Sequence, residues 1–175
     1  TEPDRESTAP TGPTDLFSVA GKTVVVTGGT SGIGLMIAGG FVAAGAEVVV
    51  ASRKADACEA AVAALSPHGT ISAIPADLST EDGCRALARA VAADHERVHV
   101  LVNNAGATWG APLDEHDTAS WNRVLDLNVQ GVFHTTKFLL PQLRAASTTD
   151  DPARVINIGS IDGLHVPILE TYSYS

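Results

Sequence analysis

The sequence predicts an α/β fold in which helices cover both faces of a doubly wound parallel sheet. The 175-residue length suits one domain. From Leu16 onward, short β-branched and apolar runs alternate with helical stretches of about 10–15 residues, the pattern of successive βαβ units. A glycine-rich loop joins the first apolar run to the first helical stretch, which is the order expected where a strand turns sharply into a helix.

The elements follow in chain order. Strands are predicted at Thr23–Thr27, Glu47–Ala51, Ile71–Pro75, His99–Asn103 and Arg154–Gly159. Helices are predicted at Ile33–Ala44, Ala55–Leu65, Thr80–Asp94 and Thr118–Leu143. Ser79, with Asp82 three residues later, is expected to cap the third helix, and Asp117 the fourth. Pro141 is expected to kink or end the fourth helix because proline lacks an amide hydrogen.

Composition narrows the range of functions. The chain is 45% hydrophobic and has a net charge of −9, so it can bury a core and is a poor partner for nucleic acid or anionic membranes. Cys58 and Cys84 lack CxxC spacing and the histidines lack metal-ligand spacing, so we expect no disulfide and no metal. We expect no secretory leader and no membrane span, and a cytoplasmic location. Residues 1–15, rich in Pro, Thr and acidic residues, are predicted to be a mobile arm preceding a domain at 16–175.

The loop at Thr27–Gly34 is the strongest indication of function. Glycines allow a tight turn and a close approach to a pyrophosphate, and the following helix offers free amide groups to its charge. Glycine-rich turns are common, so this motif is weak by itself even between a strand and a helix, and its weight comes from three further pieces at suitable distances downstream. The loop residues that we expect to bind a cofactor are Gly28, Thr30, Ser31, Gly32, Ile33 and Gly34.

The end of the second strand indicates which dinucleotide is bound. In such folds an acidic residue here binds the adenosine ribose 2′-hydroxyl, whereas a cationic one accommodates a 2′-phosphate. This chain has Ser52, Arg53 and Lys54 and no acid. We therefore predict NADP(H), although an ordinary surface Arg-Lys pair would give the same letters.

Two further segments follow predicted strands. Asp77 and Leu78 come after the third strand, and Asn104, Ala105 and Gly106 end the fourth. The carboxyl ends of parallel strands are where open α/β sheets bind ligands, so we expect these residues to bind the cofactor as well. A plain turn is the alternative for the Asn-Asn-Ala-Gly stretch.

Taken together, these motifs resemble the short-chain dehydrogenase/reductase family, over roughly residues 16–175. The residues that carry the resemblance are Thr27–Gly34, Asp77, Asn103–Gly106, Asn128 and Ser160. The resemblance implies a Rossmann-type fold in which Asp77 and Leu78 flank the adenine. It also implies that Asn128 distorts its helix and holds a water in a proton relay, and that Ser160 binds the substrate oxygen.

The resemblance also implies a catalytic tyrosine with a lysine four residues later. Tyr174 is favoured, because Tyr-Ser continues the family pattern, and Tyr172 stays open. A free phenol has a pKa of about 10, so it needs nearby positive charge to act near neutral pH. The lysine would fall at position 176 or 178, so we expect an incomplete sequence that lacks the C-terminal part of the fold.

The predicted activity is NADP(H)-dependent interconversion of a carbonyl and a secondary alcohol on a small molecule. The glycine loop and residues 159–163 resemble 3-oxoacyl-[acyl-carrier-protein] reductases, including the rhamnolipid-synthesis type, which implies a 3-oxoacyl thioester substrate. A sugar- or steroid-type reductase of the same family, or a catalytically inactive nucleotide-binding scaffold, is the alternative. The family also implies a homo-oligomer, a dimer or tetramer, assembled through the long fourth helix.

Overall fold

The computed structural model describes residues 17–165 and 168–175, so the arm predicted at residues 1–15 lies outside the described part. The strands are β1 (Thr23–Thr27), β2 (Glu47–Ser52), β3 (Ile71–Pro75), β4 (Val100–Asn103) and β5 (Arg154–Asn157). The α-helices are α1 (Gly32–Ala43), α2 (Ala55–Leu65), α3 (Glu81–Asp94), α4 (Thr118–Leu125) and α5 (Val132–Ala146). Most predicted bounds are correct to within two residues.

The strands form one parallel sheet in the order β3-β2-β1-β4-β5. Val25 of β1 lies opposite Val49 of β2 on one side and Leu101 of β4 on the other. The chain first proceeds from β1 outward to β3, and then returns past β1 to β4 and β5. This reversal confirms the predicted doubly wound parallel sheet, and it places a crevice at the carboxyl ends of β1 and β4.

Side chains that alternate along β1 enter two different cores. Val24 and Val26 pack on one face with Val42 of α1, whereas Val25 packs on the other face with Leu87 of α3. All three valines are 0% exposed, as expected for a central strand covered on both faces. The two layers of helices therefore hold β1 rigidly beneath the crevice.

The predicted cap of the third helix is wrong by one residue. Thr80, not Ser79, is the N-cap, and its Oγ1 accepts a hydrogen bond from the Gly83 amide at 3.0 Å. Ser79 instead donates from its amide and its hydroxyl to Asp77 Oδ1. Asp117 caps α4 as predicted, accepting from the Ser120 amide at 2.8 Å.

The single helix predicted at Thr118–Leu143 is three segments. A π-helical segment, Asp126–Gly131, separates α4 from α5. Of the two predicted effects of Pro141, a kink or an end of the helix, the end is wrong, since α5 continues to Ala146. Pro141 and Lys137 are both exposed, so water can hydrate the Lys137 carbonyl that loses its helical partner.

Candidate functional site

Two neighbouring cavities occupy the crevice at the carboxyl ends of the strands. The first, of about 350 Å³, is lined by Gly28, Thr30, Ser31, Ile33, Gly34, Ala51, Ser52, Arg53, Ala76, Leu78, Asn104, Ala105, Gly106 and Leu127. The second, of about 640 Å³, is lined by Ile33, Asn103–Thr108, Asn128, Val132, Asn157–Ser160, Gly163 and Tyr174. Ile33 and Asn104–Gly106 belong to both, so the cavities adjoin along one elongated groove.

A buried threonine ties the glycine loop to the end of β4. Thr27 Oγ1 accepts hydrogen bonds from the amides of Asn104 and Ala105, both at 3.0 Å. In return, the Asn104 side-chain amide donates to the Thr27 carbonyl at 3.0 Å and to the Gly28 carbonyl at 3.3 Å. Because these bonds run in both directions, the two loops that line the first cavity are fixed to each other.

Two glycines are required by this close approach. Gly28 has a φ of +65°, and a Cβ there would lie 2.9 Å from the Ala105 Cα. A Cβ on Gly34 would collide with the Gly28 carbonyl oxygen and with Asn104 Nδ2. A side chain at either position therefore forces the loop away from β4.

The start of α1 offers unpaired amide groups to the first cavity. Ser31 is the N-cap, and its side chain makes no capping bond. The Leu35 amide is bonded to the Ser31 carbonyl, so the amides of the preceding first-turn residues have no partner within the helix. Such a helix start, on a glycine loop, is suited to bind the pyrophosphate of a dinucleotide.

The structure brings most predicted cofactor residues to the first cavity but leaves three off its lining. Arg53 is exposed and lines the cavity, whereas Lys54 is the N-cap of α2 and does not. Gly32 is not part of the lining either. Asp77 is bonded to Ser79, while its neighbour Leu78 lines the cavity. For these three residues, direct contact with a cofactor has no support from the cavity geometry.

The predicted catalytic residues Asn128, Ser160 and Tyr174 all line the second cavity. Asn128 lies in the π-helical segment, and its side chain exchanges two 2.8 Å hydrogen bonds with the backbone of Ala107. The Ser160 Oγ accepts from the Asp162 amide at 3.2 Å, which leaves its hydrogen available for a ligand oxygen.

The alternative tyrosine lies outside the second cavity. Tyr172 donates to a Glu170 carboxylate oxygen at 3.4 Å and packs edge-on against His116. Desolvation, followed by the negative charge of Glu170, raises the pKa of the Tyr172 phenol above its ordinary value. The environment of Tyr172 therefore disfavours the phenolate that an acid/base tyrosine needs.

Sequence reasoning missed a polar network at the base of the second cavity. Asn103 Nδ2 donates to Asn157 Oδ1 at 2.9 Å and to Thr136 Oγ1 at 3.2 Å. The Asn-Asn-Ala-Gly motif pointed to Asn103 only as part of the resemblance, and nothing in the sequence pattern singled out Asn157 or Thr136. This network joins the ends of β4 and β5 to α5.

Metal and membrane functions find no support in the described part of the chain. Its His, Cys, Asp and Glu side chains form no group of three or more that could hold a metal ion. The thiols of Cys58 and Cys84 are buried and free, and desolvation raises the pKa of each. Among the described helices, none has the length and apolar character needed to cross a bilayer.

Comparison with known proteins decides the family. The model of the short chain dehydrogenase family matches residues 22–175. The chain belongs to this family of oxidoreductases. The groove at the carboxyl edge of its sheet is accordingly the candidate active site of a short-chain dehydrogenase.

Two curated relatives of this family are similar to the chain over most of its length. It is 47% identical over 158 residues to the rhamnolipids biosynthesis 3-oxoacyl-[acyl-carrier-protein] reductase of Pseudomonas aeruginosa, covering 90% of this chain and 62% of that protein. It is 35% identical over 156 residues to an NADP-dependent (R)-specific alcohol dehydrogenase of Lentilactobacillus kefiri, covering 89% of this chain and 61% of that protein. The chain thus spans less than two thirds of these relatives.

Solved structures of the family show the same arrangement of strands and helices. The Pseudomonas aeruginosa RhlG/NADP active-site complex matches with a TM-score of 0.88 at 46% identity, covering 91% of this chain and 62% of that one. A metagenomic short-chain oxidoreductase in complex with NADP matches with a TM-score of 0.80 at 32% identity, covering 90% of this chain and 70% of that one.

Proposed function

We propose that the protein is an NADP(H)-dependent oxidoreductase that interconverts a carbonyl compound and a secondary alcohol. The observation that carries this proposal is the single groove with a phosphate-binding helix start at one end and Ser160 with Tyr174 at the other. An elongated dinucleotide fits such a groove, with its adenosine in the first cavity and its nicotinamide in the second.

The residues of the first cavity fit the nucleotide part of this cofactor. The free amides at the start of α1 would hold the pyrophosphate, and Leu78 would pack against the adenine. Arg53 stands at the end of β2, where a 2′-phosphate of the adenosine ribose would lie. Its guanidinium forms no ion pair within the described residues and is free to bind a phosphate in bidentate fashion.

The residues of the second cavity fit the chemistry at the substrate oxygen. When bound, NADP(H) supplies the hydride chemistry. Ser160 would donate a hydrogen bond to the substrate oxygen, and the Tyr174 hydroxyl would exchange the proton with that oxygen as general acid or base. Asn128 Oδ1 accepts from the Ala107 amide and Asn128 Nδ2 donates to the Ala107 carbonyl, so Asn128 would fix the loop beside the substrate. A water of a proton relay would then bind to the second lone pair of Asn128 Oδ1 or to the second hydrogen of Nδ2.

A 3-oxoacyl thioester is the substrate that we propose within this class. The 47% identity to a 3-oxoacyl-[acyl-carrier-protein] reductase supports it. A further cavity of about 620 Å³ shares Gly163 with the second cavity, and Leu164, Ile168 and Leu169 contribute apolar walls to it. An acyl chain leaving the reaction centre would reach this apolar surface past Gly163.

We further propose a homo-oligomer, located in the cytoplasm. Large apolar residues are exposed at four-residue intervals from α4 into α5. They are Trp121, Leu125, Val129 and Phe133. Such a continuous apolar stripe along helices is suited to pack against a second copy. The net charge of −9 supports the prediction that neither nucleic acid nor an anionic membrane is a partner.

Substitutions of the neighbouring residues Arg53 and Lys54 test whether the protein prefers NADP(H) to NAD(H). In the complete protein, Arg53→Ala should weaken NADPH binding by roughly ten- to a hundred-fold and leave NADH binding nearly unchanged, because a charge-assisted contact to the 2′-phosphate is lost. Lys54→Ala is the matched control and should change neither constant by more than about twofold, since Lys54 does not line the cavity. Titration calorimetry measures both dissociation constants. Equal affinities of the unmodified protein for the two cofactors would refute the proposal.

A further inference from the structure

The loop between β4 and α4 holds the segment that carries Tyr174. The Ala111 amide donates to the Glu170 carbonyl at 3.0 Å, and His116 Nε2 lies 3.3 Å from the same oxygen. A Cβ on Gly110 would approach Thr171 Cγ2 to 3.3 Å, so the two segments pack closely. The positions of Glu170 and Thr171 therefore depend on contacts with residues far earlier in the chain, such as His116.

The surroundings of His116 determine how it binds. Its ring packs edge-on against Tyr172, with the ring centroids 5.0 Å apart. Its Nδ1 is buried and has no hydrogen-bond partner among the described residues. A carbonyl oxygen only accepts hydrogen bonds, so the arrangement assigns the proton of the neutral ring to Nε2, which donates to Glu170.

The position of Glu170 and Thr171 is passed on to Tyr174 by a tight turn. The Tyr174 amide donates to the Thr171 carbonyl at 2.8 Å, and the Ser175 amide donates to the same oxygen at 3.1 Å. Thr171 is buried, and its hydroxyl lies 2.9 Å from the Ser175 hydroxyl. Tyr174 is thus anchored through its backbone, and moving Thr171 moves its phenol.

The same loop is held at its other end by Asn128. Ala107, at the beginning of the loop, exchanges two hydrogen bonds with the Asn128 side chain, while His116, near its end, is bonded to Glu170. The loop consequently connects Asn128, which lines the second cavity, with the segment that leads to Tyr174. His116 itself does not line that cavity.

We infer that His116 is a positioning residue, which acts through its hydrogen bond to the Glu170 carbonyl and aligns Tyr174 with Ser160. This inference rests on the proposed function, in which Tyr174 exchanges a proton with the substrate oxygen. His116 touches neither substrate nor cofactor in this arrangement, so its loss should slow the chemical step without weakening cofactor binding.

Three substitutions in the complete protein separate the hydrogen bond from ring packing. His116→Phe keeps an aromatic ring against Tyr172 but cannot donate, His116→Ala removes both, and His116→Gln places an amide donor near the position of Nε2. Loss of one neutral hydrogen bond corresponds to roughly three- to ten-fold. We expect kcat to fall by about that factor in the Phe variant and further in the Ala variant, with the Gln variant within about twofold of the unmodified protein. His68→Phe, at an exposed histidine after α2, is the control and should have no effect.

The dissociation constant of NADPH and the melting temperature distinguish a misplaced Tyr174 from a general loss of structure, because only the latter changes both values. Unchanged kcat in the Phe variant, or an equal loss in the Gln variant, would overturn the role of the donor. Loss of cofactor binding together with kcat would overturn a positioning role.

If the unmodified protein has no turnover, the proposed function fails. Amide hydrogen exchange at Tyr174 and Ala111 then decides separately whether His116 holds the segment: exchange should be faster in the Phe variant and normal in the Gln variant, and equal exchange in both would refute it.

Discussion

The two ends of the groove are built in different ways. The end proposed to bind the nucleotide, which is the first cavity and is called the nucleotide end below, stands on β1, a central strand whose valines are completely buried. Thr27 at the end of β1 is hydrogen-bonded to the amide and the side chain of Asn104, just after β4. The end proposed for the reaction, which is the second cavity and is called the reaction end below, stands on β5, whose four residues are exposed, with Val155 at 43%. Ser160 and Tyr174 lie beyond β5, on turns rather than on regular elements.

The two ends differ in what positions their functional groups: the sheet itself at one end, and contacts between distant segments at the other. At the nucleotide end, adjacent strands place the binding groups, so the site forms whenever the sheet forms. At the reaction end, the loop between β4 and α4 must also be docked on the segment before Tyr174. Segments with few buried contacts open more readily than core strands, so the reaction end should be the more sensitive to distant substitutions.

The largest effect is expected where the nucleotide end is most closely packed. Gly34→Val adds a branched side chain where even a Cβ would collide with the Gly28 carbonyl and Asn104. The loop must move off β4, and NADPH binding should weaken by roughly a hundred-fold or more, because several phosphate contacts are lost together. The buried sheet is untouched, so circular dichroism should still show a folded protein. NADPH fluorescence enhancement measures the binding.

Gly40 provides the matched control within the same helix. A Cβ there would meet no atom within 4 Å, so Gly40→Ala should leave NADPH binding unchanged and raise stability by about 0.5–1 kcal/mol. Unchanged NADPH affinity in Gly34→Val would contradict the assignment of the phosphate loop. An equal loss in both variants would show that helix α1, rather than the close contact, had been disturbed.

A much smaller effect, on stability, is expected at the amino ends of the strands, where Asp151 anchors β5. Asp151 accepts from Lys22 Nζ at 2.6 Å and from Arg154 Nη1 at 2.8 Å, joining the approach to β1 with β5. These hydrogen bonds, first from Lys22 and then from Arg154, lower the pKa of the Asp151 carboxyl to about 2. The group is nearly half exposed, so solvent screening limits its contribution to below about 1 kcal/mol.

The direction of the pH effect follows from the lowered pKa. The unfolded chain, with an Asp pKa of about 3.9, takes up the proton before the folded protein does. The contribution of Asp151 is therefore present above about pH 4 and is lost as the pH falls towards 2. Urea unfolding at pH 5 and pH 3 should show a smaller loss of stability on acidification in Asp151→Asn. An identical loss in both proteins would contradict this assignment.

The nucleotide end was largely predictable from the sequence, because strand, glycine loop and helix are adjacent along the chain. The pattern at Thr27–Gly34 predicted Ser31 and Gly34 as cofactor-binding residues, and both line the first cavity. It did not reveal the Thr27 hydroxyl as the acceptor for the two amides that follow β4, since that contact joins segments about 77 residues apart. Local periodicity carries no information on such pairing.

The reaction end was predicted mainly through family resemblance. The motifs named Asn128, Ser160 and two candidate tyrosines, but spacing alone left Tyr172 and Tyr174 open. What distinguishes them is three-dimensional, since Tyr172 packs on His116 whereas Tyr174 lines the cavity with Ser160. The π-helical segment was hidden as well, because the same apolar pattern fits a continuous helix through that region.

The comparison of the two tyrosines tests the central claim most directly. In the complete protein, NADPH oxidation with a 3-oxoacyl thioester is followed at steady state in Ser160→Ala, Tyr174→Phe and Tyr172→Phe. Acid/base groups contribute typically 10²–10⁴-fold, so the first two variants should lose turnover by that order while NADPH binding stays close to that of the unmodified protein. Tyr172→Phe should keep most of its activity, since the Tyr172 hydroxyl is bonded to Glu170 outside the second cavity and the phenylalanine ring keeps the wall that Tyr172 gives to the proposed acyl-chain cavity. Loss of turnover in Tyr172→Phe but not in Tyr174→Phe, or full turnover in all three variants, would contradict the account.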